Sequence, residues 1–203
     1  MKMRFGYSVD RASLISRRIC AVTGGDYAHC FVVFDESEGE PFYFESISKK
    51  VTHKSPAGVD VWKNGVRGPI VLDNLIEWSK EKPTVRMYEI SDYIPVTDNE
   101  ARQSYRRLCA ACHDIEYATL QCANNWIESR LGIYIATNWF KTSQTHWNCS
   151  EALMRTCIPV RYWDYYNMIN VNANRIVPDG DKMTSIRHCT QKLLDDIKKG
   201  KKK

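Results

Sequence analysis

Apolar positions recur at two spacings along the chain, one suited to strands and one to helices. Leu14, Ile15, Ile19 and Val22 fall at helical intervals, which predicts a helix over residues 13–22, opened by Asp10 or Ser13 and stopped by Gly24-Gly25. The runs AHCFVVF (28–34) and PFYFESI (41–47) are β-branched and aromatic, and the acidic, glycine-containing DESEGE between them is turn material, so the pair reads as a hairpin. Short strands are expected at 51–53, 59–62 and 85–90, with a helix at 73–80 among them. Helices dominate from there on. A helix over 97–112 begins at Thr97 with Glu100 three residues later, a capping-box pattern. Further helices are expected over 120–131, ended by Gly132, from Asn148 onward, and over 185–197.

This pattern predicts an α+β fold in which an antiparallel sheet packs against helices. A chain of 203 residues, without internal repeats or a linker rich in Pro, Gly or Ser, fits one domain, expected over 1–191. Residues 192–203 read as the end of a C-terminal helix and a basic tail. Apolar residues at 43%, charged residues at 26% and aromatic residues at 11% exclude a disordered, collagen-like or fibrous chain. No stretch reaches the roughly 18 uninterrupted apolar residues of a membrane-spanning helix, so no membrane span is expected.

Charge narrows the partners. The last twelve residues, KLLDDIKKGKKK, hold +4 of the formal net charge of +5, which leaves a nearly neutral body and no expectation of nucleic acid as a partner. Six lysines at one end also suit a solvated terminus, or contact with nucleic acid or anionic lipid. The eight cysteines are too sparse for a disulfide scaffold, and the start MKMRFGYSVDRASLISRR has no apolar run before a cleavage site. The expected location is therefore a reducing, cytoplasmic one with free thiols.

One thiol stands apart. In HWNCSEALMRTCI (146–158), Asn148 is a favourable N-cap and Glu151 stands where its side chain can reach back to the cap, so Cys149 and Ser150 are expected as the first two helical residues. A helix N-terminus favours a thiolate, and its open N–H groups, here those of Cys149 and Ser150, can receive an oxyanion. A buried structural cysteine beside a cap fits the same pattern.

A cysteine nucleophile needs a base, and the base an orienting group. His29 is the first candidate, because it opens the hairpin on the face shared by Phe31 and Val33. A turn at Glu36-Ser37-Glu38 with Gly39 in a bulge sets Glu45 directly opposite His29, with Cβ atoms roughly 4.5–5.5 Å apart. A slip of one residue would bring Ser46 instead. A half-buried histidine beside a surface Glu is the plain alternative. His146, three residues before Cys149, is the alternative base.

These motifs, in this order, resemble the circularly permuted NlpC-type, papain-like cysteine hydrolases, in particular the YiiX-like branch. There, an N-terminal His strand precedes the cysteine helix. SLISRRICAVTGGDYAHCFVVF is similar to that family's helix, Thr turn and Tyr-x-His-x-x-x-Val strand, with Tyr27, His29 and Val33 in place. FYFES resembles its acidic strand, HKSPAGVDVW its Pro-x-Gly-Val segment, NCSEAL its Cys-Ser-Glu motif and IVPDGDKM its closing stretch. The likeness spans residues 5–183. It implies a permuted papain-like fold with Cys149 as nucleophile, His29 as general base and Glu45 orienting His29, and a reaction that needs no metal and no cofactor. The substrates it implies are a peptide, a peptidoglycan-type cross-link, an isopeptide or a lipid ester, because such relatives include peptidases, amidases and acyltransferases.

Other features are weaker. CAACH (109–113) matches a haem-attachment pattern in letters only, since it ends a predicted helix, and Cys122, Cys157 and Cys189 complete no zinc spacing. The aromatic cluster RYWDYYNMI (161–169) lacks the interleaved basic residues of a base-stacking groove. Two rival functions remain at this stage: a non-catalytic binding module on the same fold, and an adaptor for nucleic acid or membrane surfaces acting through the lysine tail.

Overall fold

The structure is a computed structural model, and it describes residues 1–23, 25–54, 60–117, 146–157 and 195. The helix expected over 120–131, the aromatic cluster, the closing motif and the basic tail lie outside the described residues. Of the helix expected over 185–197, Asp195 is described and is helical.

Five antiparallel strands form one sheet in the order β4-β3-β2-β1-β5. They are β1 (Lys2–Asp10), β2 (His29–Asp35), β3 (Phe42–Lys54), β4 (Asp60–Val71) and β5 (Arg86–Tyr93). The helices are α1 (Leu14–Thr23), α2 (Asp73–Glu81), α3 (Asp98–Asp114) and α4 (Cys149–Cys157). Two short parallel strands, β6 (Glu116–Tyr117) and β7 (His146–Trp147), pair outside the main sheet. The protein is thus a mixed α+β molecule with an antiparallel sheet and helices. Among the described residues, no helix is long and apolar enough to cross a membrane.

Two elements differ from the sequence expectation. β1 is absent from it, although Met3, Phe5, Tyr7 and Val9 alternate with polar or small residues and are all buried. The short strands expected at 51–53 and 59–62 belong to the longer β3 and β4, whose pairing resumes at Val51 and Lys63 after a register shift past the polar residues 48–50. The capping box of α3 forms as expected: the Thr97 side chain accepts from the Glu100 N–H, and Glu100 accepts from the Thr97 N–H.

Strand alternation divides the core. Met3, Phe5 and Tyr7 of β1, Cys30, Val32 and Phe34 of β2, and Phe42 and Phe44 of β3 pack with Leu108 and Ala111 of α3 and with Cys149, Ala152 and Leu153 of α4. The opposite parity, Phe31, Val33, Tyr43 and Ile70, packs with Leu75 of α2. Full burial of one such phenylalanine contributes about 1.5–3 kcal/mol. Gly6 makes room for the Phe31 ring of the residue paired with it on β2, since a Cβ there would lie 2.1 Å from that ring. At Gly65, with φ +118°, a Cβ would lie 2.2 Å from the carbonyl oxygen of Ile115, so the glycine allows β4 to cross the end of α3. The N–H of Val66 donates to that same carbonyl at 3.3 Å, which ties the crossing down.

Candidate active site

α4 begins as its cap residue dictates. Asn148, 4% exposed, accepts the Glu151 N–H on its side-chain Oδ1 at 2.8 Å and the Ala152 N–H on its carbonyl at 2.9 Å. Cys149 and Ser150 therefore occupy the first two helical positions, whose N–H groups have no intrahelical acceptor. The Glu151 carboxylate faces the Asn148 N–H at the cap and also takes Nε and Nη2 of Arg155, one turn on, at 2.8 and 2.7 Å. Arginine at that spacing brings a charge as well as donors to a fully buried carboxylate. Just before the cap, the carbonyl of Trp147 accepts the hydroxyl of buried Ser46 at 2.8 Å, which fastens the chain to β3.

The neighbouring residue of β3 serves the other side of the site. Glu45 Oε2 meets Nε2 of His29 at 2.7 Å. The hairpin register departs from the one expected: Glu45 lies opposite Phe31, not His29, a shift of two residues. An even shift preserves the face, so Glu45 becomes the diagonal neighbour of His29, still within reach of a long side chain. Ser46, of opposite parity, remains free for Trp147. Adjacent residues of one strand thus hold the imidazole and the chain that leads into the cysteine.

The other oxygen of Glu45 belongs to Arg67, which sequence reasoning missed. Arg67 stands directly across from Glu45 on β4, is 2% exposed, and donates from Nε at 2.9 Å and from Nη2 to Oε1. Burial favours a neutral Glu45, but the Arg67 charge and the His29 contact outweigh it and hold the carboxyl down to about 2. An acceptor-only carboxylate requires a proton on Nε2 of His29, and the ring has one further hydrogen-bond partner.

That partner is Cys149. Burial favours a neutral ring for His29, yet hydrogen bonds to Cys149 and Glu45 raise it to about 10. The Cys149 thiol is held well below its ordinary value, first by a hydrogen bond from the thiol of Cys30, then, against burial, by His29 and by the backbone N–H of Cys30. Both shifts favour a thiolate and an imidazolium in this pair. The structure therefore brings Cys149, His29 and Glu45 together, and adds Cys30 and Arg67. Cys30 follows His29 directly in sequence, but nothing in the pattern marks it. The signal for Arg67 is a charge inside the strand-like GVRGPI, which is costly unless partnered.

His146 lies elsewhere in the arrangement. It is in β7, 45% exposed at its side chain, with Nε2 3.4 Å from Glu116 of β6. Cys109 and Cys112 sit on the last turns of α3, where Cys112 donates to the Gly68 carbonyl at 3.6 Å. Among the described residues, no three His, Cys, Asp or Glu side chains gather as metal ligands. Burial pushes the thiol of Cys157, at the far end of α4, up to about 12, the reverse of Cys149 on the same helix. No protein-family model matches the chain, and no curated protein matches it.

Proposed function

We propose that the protein is a cysteine-dependent hydrolase that cleaves an amide or ester through an acyl-enzyme, on a permuted papain-like fold. The observation that carries this reading is the imidazole of His29, bonded to Glu45 on one side and to Cys149, at the start of a helix, on the other. The thiolate of Cys149 attacks the carbonyl carbon, and the N–H groups of Cys149 and Ser150 receive the oxyanion. The His29 imidazolium then protonates the leaving amine or alcohol, and afterwards, as a neutral ring, takes a proton from the water that releases the acyl group. Glu45, itself held by Arg67, keeps the ring in one orientation throughout, with the Nε2 N–H donating to the carboxylate. Peptides, peptidoglycan-type cross-links, isopeptides and lipid esters all present the required carbonyl; an acceptor other than water would make the same intermediate an acyl transfer.

The test is selective alkylation. Iodoacetamide at pH 6 is expected to label Cys149 about tenfold faster than the other thiols, because its value is held well below the ordinary one while burial raises those of Cys20, Cys109 and Cys157. Cys149→Ala should abolish the fast phase and His29→Ala should slow it by about tenfold or more. The sign with pH follows from the two groups: labelling persists down to the depressed value of Cys149, and proton donation to a leaving group fades as pH rises through about 10, where His29 loses its proton. Equal labelling of all eight cysteines would sink the reading.

A further inference from the structure

Cys30 supports the Cys149 nucleophile and, as a second thiol against the reacting atom, offers a chemistry of its own. It is a strand residue, paired with Tyr7 across β1, 1% exposed, and packed in the same core as Cys149. Its thiol and its backbone N–H both bond to the Cys149 sulfur. A helix-start thiolate with a second thiol already in hydrogen-bond contact is the arrangement in which an oxidised cysteine is resolved by its neighbour. The remaining described thiols are placed differently. Cys157 ends α4, eight residues and about 12 Å of helix away, and Cys109 and Cys112 belong to α3 and Cys20 to α1.

We propose that Cys149 and Cys30 form a reversible disulfide when the protein meets a hydroperoxide, with Cys30 as the resolving thiol that spares the nucleophile from irreversible oxidation. The Cys149 thiolate attacks the outer oxygen of the peroxide, the O–O bond breaks, and the departing alkoxide takes the proton of the His29 imidazolium. The products are a sulfenic acid on Cys149 and an alcohol. The Cys30 sulfur then attacks the Cys149 sulfur, the S–O bond breaks, and hydroxide leaves with the Cys30 proton as water. Two thiols have lost two electrons to one peroxide, and a dithiol reductant reverses the change. The ladder with β1 fixes Cys30, and Cys149 meets it from the open end of α4. The proposal rests on the contact of the two thiols in one core at the start of α4 and not on hydrolysis.

Hydrogen peroxide is the probe, and mass spectrometry of the intact chain and its peptides is the readout. The expected product is a Cys30–Cys149 linked peptide lighter by two hydrogens, with loss of two labelled thiols and return of Cys149 labelling after dithiothreitol. In Cys30→Ser, and equally in Cys30→Ala should the serine variant fail to fold, Cys149 should pass to the sulfinic acid, and dithiothreitol should recover about tenfold less labelling. A disulfide that pairs Cys149 with another cysteine, or unchanged recovery in both variants, overturns the proposal. Linkage without any hydrolysis of amides or esters would count against the hydrolase reading alone. Fast alkylation of Cys149 without linkage would count against the disulfide alone.

Discussion

Glu45 on β3 and Glu151 on α4 are both buried, both ion-paired to an arginine, and both driven by burial toward the neutral form, yet Glu45 is held down to about 2 and Glu151 is pushed up to about 7. The difference lies in the oxygens. On Glu45, Oε1 takes two donors of Arg67 and Oε2 takes His29, so the carboxylate is satisfied on both sides by two cations. On Glu151, Arg155 occupies Oε1, while Oε2 is buried without a hydrogen-bond partner among the described residues. Arg67 is as desolvated as its partner, whereas the Arg155 side chain is 19% exposed and its charge is partly screened. An arginine alone does not ionise a buried acid; filling the remaining lone pairs does, since each buried unmet atom costs about 1–3 kcal/mol.

The comparison breaks most visibly at Arg67. Arg67→Met is expected to lower stability by about 3–5 kcal/mol at pH 7, because it strands the Glu45 charge in the interior. Denaturant unfolding checks it, and a loss under about 1 kcal/mol would contradict the arrangement. Adding Glu45→Gln should restore part of the loss by removing the stranded charge. The pH window follows from the sign: the Glu45 carboxyl is depressed, so its contribution is complete above about 4.5 and is lost as pH falls toward about 2.

Glu151 should behave in the opposite sense. Its folded value is raised from 4.5 to about 7, so the stability it contributes is complete below about 4.5 and is lost as pH rises through about 7. Glu151→Gln, an isostere of the protonated acid, should match the wild type near pH 4.5 and exceed it by about 2 kcal/mol at pH 8. Thermal unfolding at the two pH values decides the matter. Parallel curves at both would mean that Glu151 does not titrate between them.

Features of the sequence foretell these two sites unequally, and the reason is the range over which each interaction acts. Local chemistry was legible. Ser13, Thr97 and Asn148 bond within their own helix starts, and the hairpin's alternation puts His29 and Glu45 on one face under either register. The pairing of β3 with β4 was not legible, and with it went Arg67, because no residue near 67 announces which glutamate lies opposite. Likewise, spacing places Glu151 at the cap, but it does not foretell that the carboxylate is fully buried and shared with Arg155. The contact of Cys30 with Cys149 depends on where α4 docks on β2, which local pattern does not specify.

The finest separation between the two pairs is the pH dependence of removing each arginine. Arg155 also lies over the Trp147 ring, 5.4 Å from its centroid, and that contact does not depend on the charge of Glu151. At pH 5 Glu151 is largely protonated, so Arg155→Met should cost about 0.5 kcal/mol, mostly through the lost ring contact. At pH 8 the wild-type carboxylate is ionised and loses its one cation, so the cost should rise to about 1–2 kcal/mol, and the titration of Glu151 should move further up. Glu45 stays ionised far below pH 5, so the cost of Arg67→Met should be nearly the same at the two pH values. A ratio of costs near one for both arginines would mean that the unmet oxygen of Glu151 has no influence on its charge, and that burial, not satisfaction, separates the two acids.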